Sequence, residues 1–172
     1  MKVKFKKSCE EAVAPFYAYE SSAGLDLTAT SRTMDEYGNI VYGTGIQIEI
    51  PKGYVGLLYT RSSNHKKKLD FTCCVGVIDS DYRGEITMKY RPSTTFIYFS
   101  SIWKRLSSLF FGAPKGDCNL KTAFCIKDDD IYEVGDRIGQ LIIMSYPKIE
   151  LVPVRELSQS ARGENGYGSS GK

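Results

Sequence analysis

A chain of 172 residues with 42% hydrophobic and 25% charged content can bury one core and is too apolar to be disordered throughout. Its net charge of +3 suits a small anionic ligand and is too weak to argue for nucleic acid. Five scattered cysteines (Cys9, Cys73, Cys74, Cys118, Cys125) and a single histidine, His65, form no disulfide framework and no zinc set, so reduced thiols in a cytoplasmic protein are expected.

The N-terminus, MKVKFKKS, has no apolar run behind its lysines, so no signal peptide is expected, and no stretch reaches transmembrane length. GIQIEI (45–50) then sets Ile46, Ile48 and Ile50 on one face of a strand, with Gln47 and Glu49 on the other. YVGLLY (54–59), CVGVI (74–78), EITMKY (85–90), AFCI (123–126), QLIIMS (140–145) and IELVPV (149–154) read the same way. Turn signals fall at 36–39, 51–53 and 133–136. Short strands with regular turns and no βαβ alternation predict an all-β barrel or sandwich of jelly-roll type.

One segment departs from that pattern. In FIYFSSIWKRLSSLFFG, Phe99, Ile102, Trp103, Leu106, Leu109 and Phe110 recur at helical spacing. This predicts a short amphipathic helix whose apolar side packs on the barrel or a neighbouring subunit. A partner-binding helix is the alternative. A membrane-surface helix is disfavoured, because only Lys104 and Arg105 bring positive charge to it. The tail, ARGENGYGSSGK (161–172), reads either as a frayed terminus or as a lid. Its glycines let backbone amides approach phosphates, Arg162 offers charge-assisted bonds and Tyr167 a flat face for a base.

Between strands lies GVIDSDYRGE (76–85), where an apolar run ends abruptly in two carboxylates, a tyrosine, an arginine and a glutamate. With AGLDL (23–27), TRSS (60–63), GDRIGQL (135–141) and RGENGYGSSG (162–171), this segment resembles, in order, the five motifs of the homotrimeric dUTP pyrophosphatases, the dUTPases. The resemblance implies a distorted jelly-roll β-barrel of the β-clip kind over residues 1–160. It also implies an insertion at about 92–121, which carries the predicted helix, and an arm at 161–172 that closes a neighbouring subunit's site. The activity implied is magnesium-assisted hydrolysis of dUTP to dUMP and pyrophosphate in a homotrimer, keeping uracil out of DNA and supplying dUMP for dTMP synthesis. No nucleic-acid or membrane partner is implied.

The residue roles carried over by resemblance are these. Asp79 is the general base on the attacking water, and Asp26 holds magnesium through water. Arg61, Ser62 and Gln140 surround the α- and β-phosphates, with Ser62 close to the departing pyrophosphate, and Ser63 is a further substrate-binding residue. Cys73 and Gly76 belong to the strand whose main chain reads uracil, and Tyr82 lies against the deoxyribose. Arg162 meets the γ-phosphate, Tyr167 stacks on the base, and Gly168, Ser169 and Ser170 close over the chain. Phosphoryl chemistry asks for this kind of positioning and charge stabilisation around an in-line attack. Cys73 and Cys74 are expected to pack, Gly139 to be a neutral replacement for the usual alanine, and Lys66, Lys67 and Lys68 to form a solvated face. Asn165, where many relatives have glycine, is expected to stiffen the arm.

Two other functions stay open. Some bacteriophage dUTPases with an insertion here are also regulatory partners, so a dUTP-responsive binding role through residues 92–121 is one. A dCTP deaminase-like activity is the other. It is disfavoured because the catalytic glutamate of that family falls at Lys89, which cannot shuttle protons as a carboxylate does.

Overall fold

The computed structural model describes residues 1–93 and 130–165. These hold nine strands: β1 (Lys4–Lys7), β2 (Leu25–Thr28), β3 (Ser31–Met34), β4 (Ile40–Glu49), β5 (Tyr54–Tyr59), β6 (Leu69–Phe71), β7 (Gly76–Ile78), β8 (Glu85–Pro92) and β9 (Arg137–Ser145). A single 3-10 turn, Ser62–Lys66, separates β5 from β6. The predicted helix and the AFCI strand lie outside the described residues. No helix among the described residues is long and apolar enough to cross a membrane.

The strands form two antiparallel sheets, as expected of a jelly roll, and hydrogen bonding does not close them into one continuous barrel. One sheet runs β1-β4-β8-β6, with β3 alongside β4; the other runs β2-β9-β5-β7. The alternation in GIQIEI is met: Ile46, Ile48 and Ile50 are buried. They join Tyr42, Ile86, Met88 and Tyr90 of the first sheet and Leu27, Leu58, Ile138 and Leu141 of the second in one core between the layers. Strands β1 and β3 are exposed along their whole length, which is why no apolar period announced them. Their strand pairing is with β4, and Arg32 of β3 also bonds the Tyr132 carbonyl and Glu133.

Three expectations need correction. IELVPV forms no strand; residues 146–165 are exposed throughout and pair with neither sheet. Pro147 and Pro153 lack the N–H a ladder needs, and the alternating apolar positions have no partner edge within the chain. CVGVI becomes strand only from Gly76, because Cys74 takes φ 56° and turns the backbone out of extended geometry. Cys73 and Cys74 therefore do not pack: both are exposed on the turn between β6 and β7.

Pairing between β4 and β8 slips between Gly43 and Gln47, leaving a bulge in β4. Thr44 Oγ1 donates to the Ile86 carbonyl (2.7 Å) and accepts from Ile46 N–H (3.2 Å), while Gly45 N–H donates to Glu85 Oε1 (2.8 Å). Gly45 has φ 65°, and a Cβ there would stand 2.7 Å from both Cys9 Sγ and Ala12 Cβ. Gly45→Ala is expected to lower stability by about 2–4 kcal/mol, through left-handed strain and overpacking together. Thermal unfolding should show this as a melting temperature lower by roughly 5–15 °C. An unchanged transition would mean that the bulge does not hold this conformation.

Gly139 of β9 faces Met88 of β8 across the core, and a Cβ at that position would collide with the Met88 thioether and lie 3.0 Å from the Tyr59 carbonyl. The glycine is thus matched to its neighbour, contrary to the neutral role expected of it. Tyr42, Tyr90 and Tyr132 meet edge-on or tilted, with ring centroids 5.6–6.0 Å apart, and each hydroxyl is hydrogen-bonded. Burial pushes the Tyr42 phenol up to about 12 and the Tyr90 phenol further still.

Candidate active site

The second sheet explains why motifs far apart in sequence converge. Its register sets Asp26 of β2 opposite Gln140 of β9, and Gln140 opposite Tyr59 at the end of β5, from which Arg61 departs. Facing residues of paired strands point the same way, so motifs at 26, 61 and 140 share one face. Gly24 lets β2 begin close to β9, since a Cβ there would be 3.1 Å from Gln140 Cβ.

Asp26 is the hub of this face. Its carboxylate is 1% exposed. Oδ1 accepts from Arg61 Nε (3.1 Å) and Gln140 Nε2 (3.2 Å), and Oδ2 accepts from Arg137 Nη1 (3.0 Å). One buried carboxylate thus orients two guanidiniums and an amide, and the local excess of positive charge suits a polyanion. Arg61 Nη1 also reaches Ser63 Oγ (3.3 Å), which ties the start of the following turn to the same hub.

Arg137 was not among the residues expected from sequence. Plain alternation would put it on the face opposite Gln140, but the register shifts between Leu27 and Thr28. Ile138 and Gly139 both turn inward at that bulge, and Arg137 comes round to Asp26. Its position inside GDRIGQL was the only available signal.

The turn after Arg61 is pinned along its length. Asn64 N–H donates to the Arg61 carbonyl (2.9 Å), and His65 Nδ1 lies 2.7 Å from the Ser62 carbonyl. Lys67 and Lys68 are not the solvated face expected of them. Lys67 Nζ donates to the Ile131 carbonyl (2.5 Å), and Lys68 Nζ pairs with Asp130 (3.0 Å). Lys66 remains exposed.

The third motif lies elsewhere on the same sheet. Among the described residues β7 is its last strand, and one edge of the β7 backbone carries no strand partner among them. Asp79 follows β7 on an exposed turn closed by Tyr82 N–H to the Asp79 carbonyl (3.1 Å). Arg83 Nη1 braces that turn through the Ser80 and Tyr82 carbonyls (2.8 Å each), and the Tyr82 hydroxyl donates to the Glu85 carbonyl (3.0 Å). Gly76 pairs with Leu58 and Ile78 with Gly56, so Asp79 falls level with Val55. At about 3.3 Å per residue, Tyr59 at the end of β5, from which Arg61 departs, lies roughly 13 Å further along the strand.

One chain therefore brings together Asp26, Arg61, Ser63 and Gln140, with exposed Ser62 on the same turn. Asp79 and Tyr82 follow the opposite end of the β5–β7 pairing, while Gly76 faces Leu58 at the end of β5 nearer Arg61 and Cys73 precedes it. Arg162 sits on the exposed tail, where its Nε donates to the Asn165 carbonyl (2.8 Å) in a local turn. Tyr167, Gly168, Ser169 and Ser170 lie outside the described residues. Lys89 is on the outer face of β8, 3.4 Å from Asp35, with no carboxylate in its place.

The dUTPase family profile matches residues 10–98 and 114–171. A deoxyuridine 5'-triphosphate nucleotidohydrolase of Hydrogenobaculum sp. is 32% identical over 174 residues, covering 99% of each chain. Its counterpart in Corynebacterium glutamicum is 31% identical over 172 residues, covering 99% of this chain and 95% of the relative. Among solved structures, the Staphylococcus bacteriophage 80alpha dUTPase with dUPNHPP superposes with a TM-score of 0.71 at 27% identity, over 99% of both chains.

Proposed function

This chain belongs to the dUTPase family, and from that premise we propose that it hydrolyses dUTP to dUMP and pyrophosphate. The observation that carries the reading is the hub at Asp26, whose carboxylate gathers Arg61 from the turn after β5 and both Arg137 and Gln140 from β9, a concentration of positive charge suited to phosphates. Arg61, Ser62, Ser63 and Gln140 hold the phosphates there. Asp79 takes the proton of the water that attacks the α-phosphate, and its exposed turn leaves the carboxylate open to such a water. Cys73 to Gly76 read uracil through the main chain. The edge of β7 that has no strand partner among the described residues supports this, since it offers backbone donors and acceptors without disturbing the sheet. Tyr82, anchored by its hydroxyl to the Glu85 carbonyl, presents a fixed ring against the deoxyribose.

The placement of Asp79 and Arg61 beyond opposite ends of β5 supports a site assembled from different copies of the chain. So does the exposed segment after β9, where Ile149, Leu151, Val152, Val154 and Leu157 are 60–87% exposed. A row of this kind calls for a covering partner. We therefore read the protein as a homotrimer with the tail of one copy serving the site of another.

Magnesium is read as arriving with the triphosphate. No group of three or more His, Cys, Asp or Glu among the described residues could hold a metal ion. Asp26 Oδ2 accepts one bond and keeps a lone pair, which fits a contact through water and not a resident metal. The ion, when bound, neutralises phosphate charge.

The test is pyrophosphate release with magnesium from dUTP, dCTP, dTTP and UTP separately. Release from dUTP alone is expected, with the thymine methyl excluded by about 1–3 kcal/mol. Comparable release from UTP would overturn the role of Tyr82, and none from dUTP would overturn the reading itself.

A further inference from the structure

The turn carrying Arg61, Ser62 and Ser63 is centred on Asn64, and every polar atom of Asn64 is engaged. Its N–H donates to the Arg61 carbonyl and its own carbonyl accepts from Lys67 N–H, both at 2.9 Å. Its Nδ2 donates to the Leu69 carbonyl (3.0 Å), and its Oδ1 accepts the phenol hydroxyl of Tyr132 (3.0 Å). Tyr132 is in turn immobilised by the core. Its N–H and carbonyl both bond the Tyr42 hydroxyl (3.1 and 2.9 Å), and its ring abuts Tyr42 and Tyr90.

The attachment extends along both segments. Lys68 N–H donates to the Asp130 carbonyl (2.8 Å), and the Lys67 ammonium lies 5.4 Å from the Tyr132 ring centre. Burial raises the Tyr132 phenol above its ordinary value, while the Arg61 charge and a hydrogen bond with Ser63 act the other way. A ring in the core needs no hydroxyl, so the bond to Asn64 calls for a reason beyond packing.

We propose that the Tyr132 hydroxyl is a positioning group for the triphosphate. Through Asn64 it fixes the height and angle at which Arg61, Ser62 and Ser63 meet the phosphates. The inference rests on the dUTP reading of the site. It differs from a packing role in what it affects: packing sets stability, whereas positioning sets affinity for the phosphate chain without changing base or sugar recognition.

Tyr132→Phe keeps the ring and removes only the hydroxyl. Its KM for dUTP is expected to rise about 3–10-fold, the worth of one hydrogen bond, with kcat within about twofold of wild type. Competitive inhibition by deoxyuridine, which carries no phosphate, should not change. Adding Asn64→Ala to Tyr132→Phe should raise KM by less than the product of the single effects, because both remove one contact. An unchanged KM, or equal weakening toward dUTP and deoxyuridine, would overturn the proposal. If wild type releases no pyrophosphate from dUTP, the functional reading falls. The positional claim then stands or falls on hydrogen exchange. Faster exchange of the Asn64 and Lys67 amides in Tyr132→Phe than in wild type supports it, and equal exchange refutes it.

Discussion

Asp79→Asn is expected to slow dUTP turnover by about 10²–10⁴-fold, the range that general base catalysis supplies, while substrate affinity stays within a few fold. The turn that carries Asp79 is shaped by the Tyr82 N–H bond to the Asp79 carbonyl and by the two bonds from Arg83, none of which involves the carboxylate. An amide of the same size therefore leaves the turn as it is and removes only the ability to take a proton. Stopped-time pyrophosphate assays give the rate, and calorimetric titration with a non-hydrolysable imido analogue of dUTP gives the affinity. A variant that retains turnover would remove Asp79 as the base. One that loses both turnover and binding would assign the carboxylate to holding the substrate.

Deletion of residues 161–172 is expected to lower activity by about 10²–10³-fold and to leave the melting temperature within a few degrees of wild type. Loss of base stacking alone is worth about 1–3 kcal/mol, and loss of an arginine at a phosphate adds to it. Stability should be indifferent, because the described part of this segment contacts neither sheet. Gly163 N–H bonds only Ser160, and Asn165 and Arg162 bond each other. Size-exclusion chromatography of the truncated chain should match the full-length protein. Full activity after truncation would refute the lid, and a collapse in stability would mean that the tail serves the fold.

The legible parts of the sequence were those where a side chain's environment follows from its own period. Ile46, Ile48 and Ile50 alternate and are buried, and the turn at 51–53 falls where Pro51 and Gly53 put it. IELVPV carries the same alternation, yet its residues are exposed, because a pattern tells that a face needs cover and not where the cover comes from. β1 and β3 carry no pattern, since their partners are backbone groups of β4.

At the site, the segments 23–27, 60–63 and 135–141 foretold the cluster around Asp26 through their resemblance to the family's motifs, not through any period or spacing of their own. Arg137 was hidden by a broken register, and Tyr132 by its likeness to any other core aromatic. The exposure of Cys73 and Cys74 was equally illegible: it follows from the positive φ at Cys74, a backbone property that cysteine does not advertise.

The fit of Met88 against Gly139 has a consequence for how this chain can change over evolutionary time. An alanine at 139, usual among relatives, meets a long thioether here, within a core where Met88 is fully buried. The two positions are coupled: an alanine at 139 requires the flexible end of Met88 to take another rotamer inside a closed core. Transplanting the fourth motif of a relative into this scaffold as a block would impose that rearrangement on the opposite sheet.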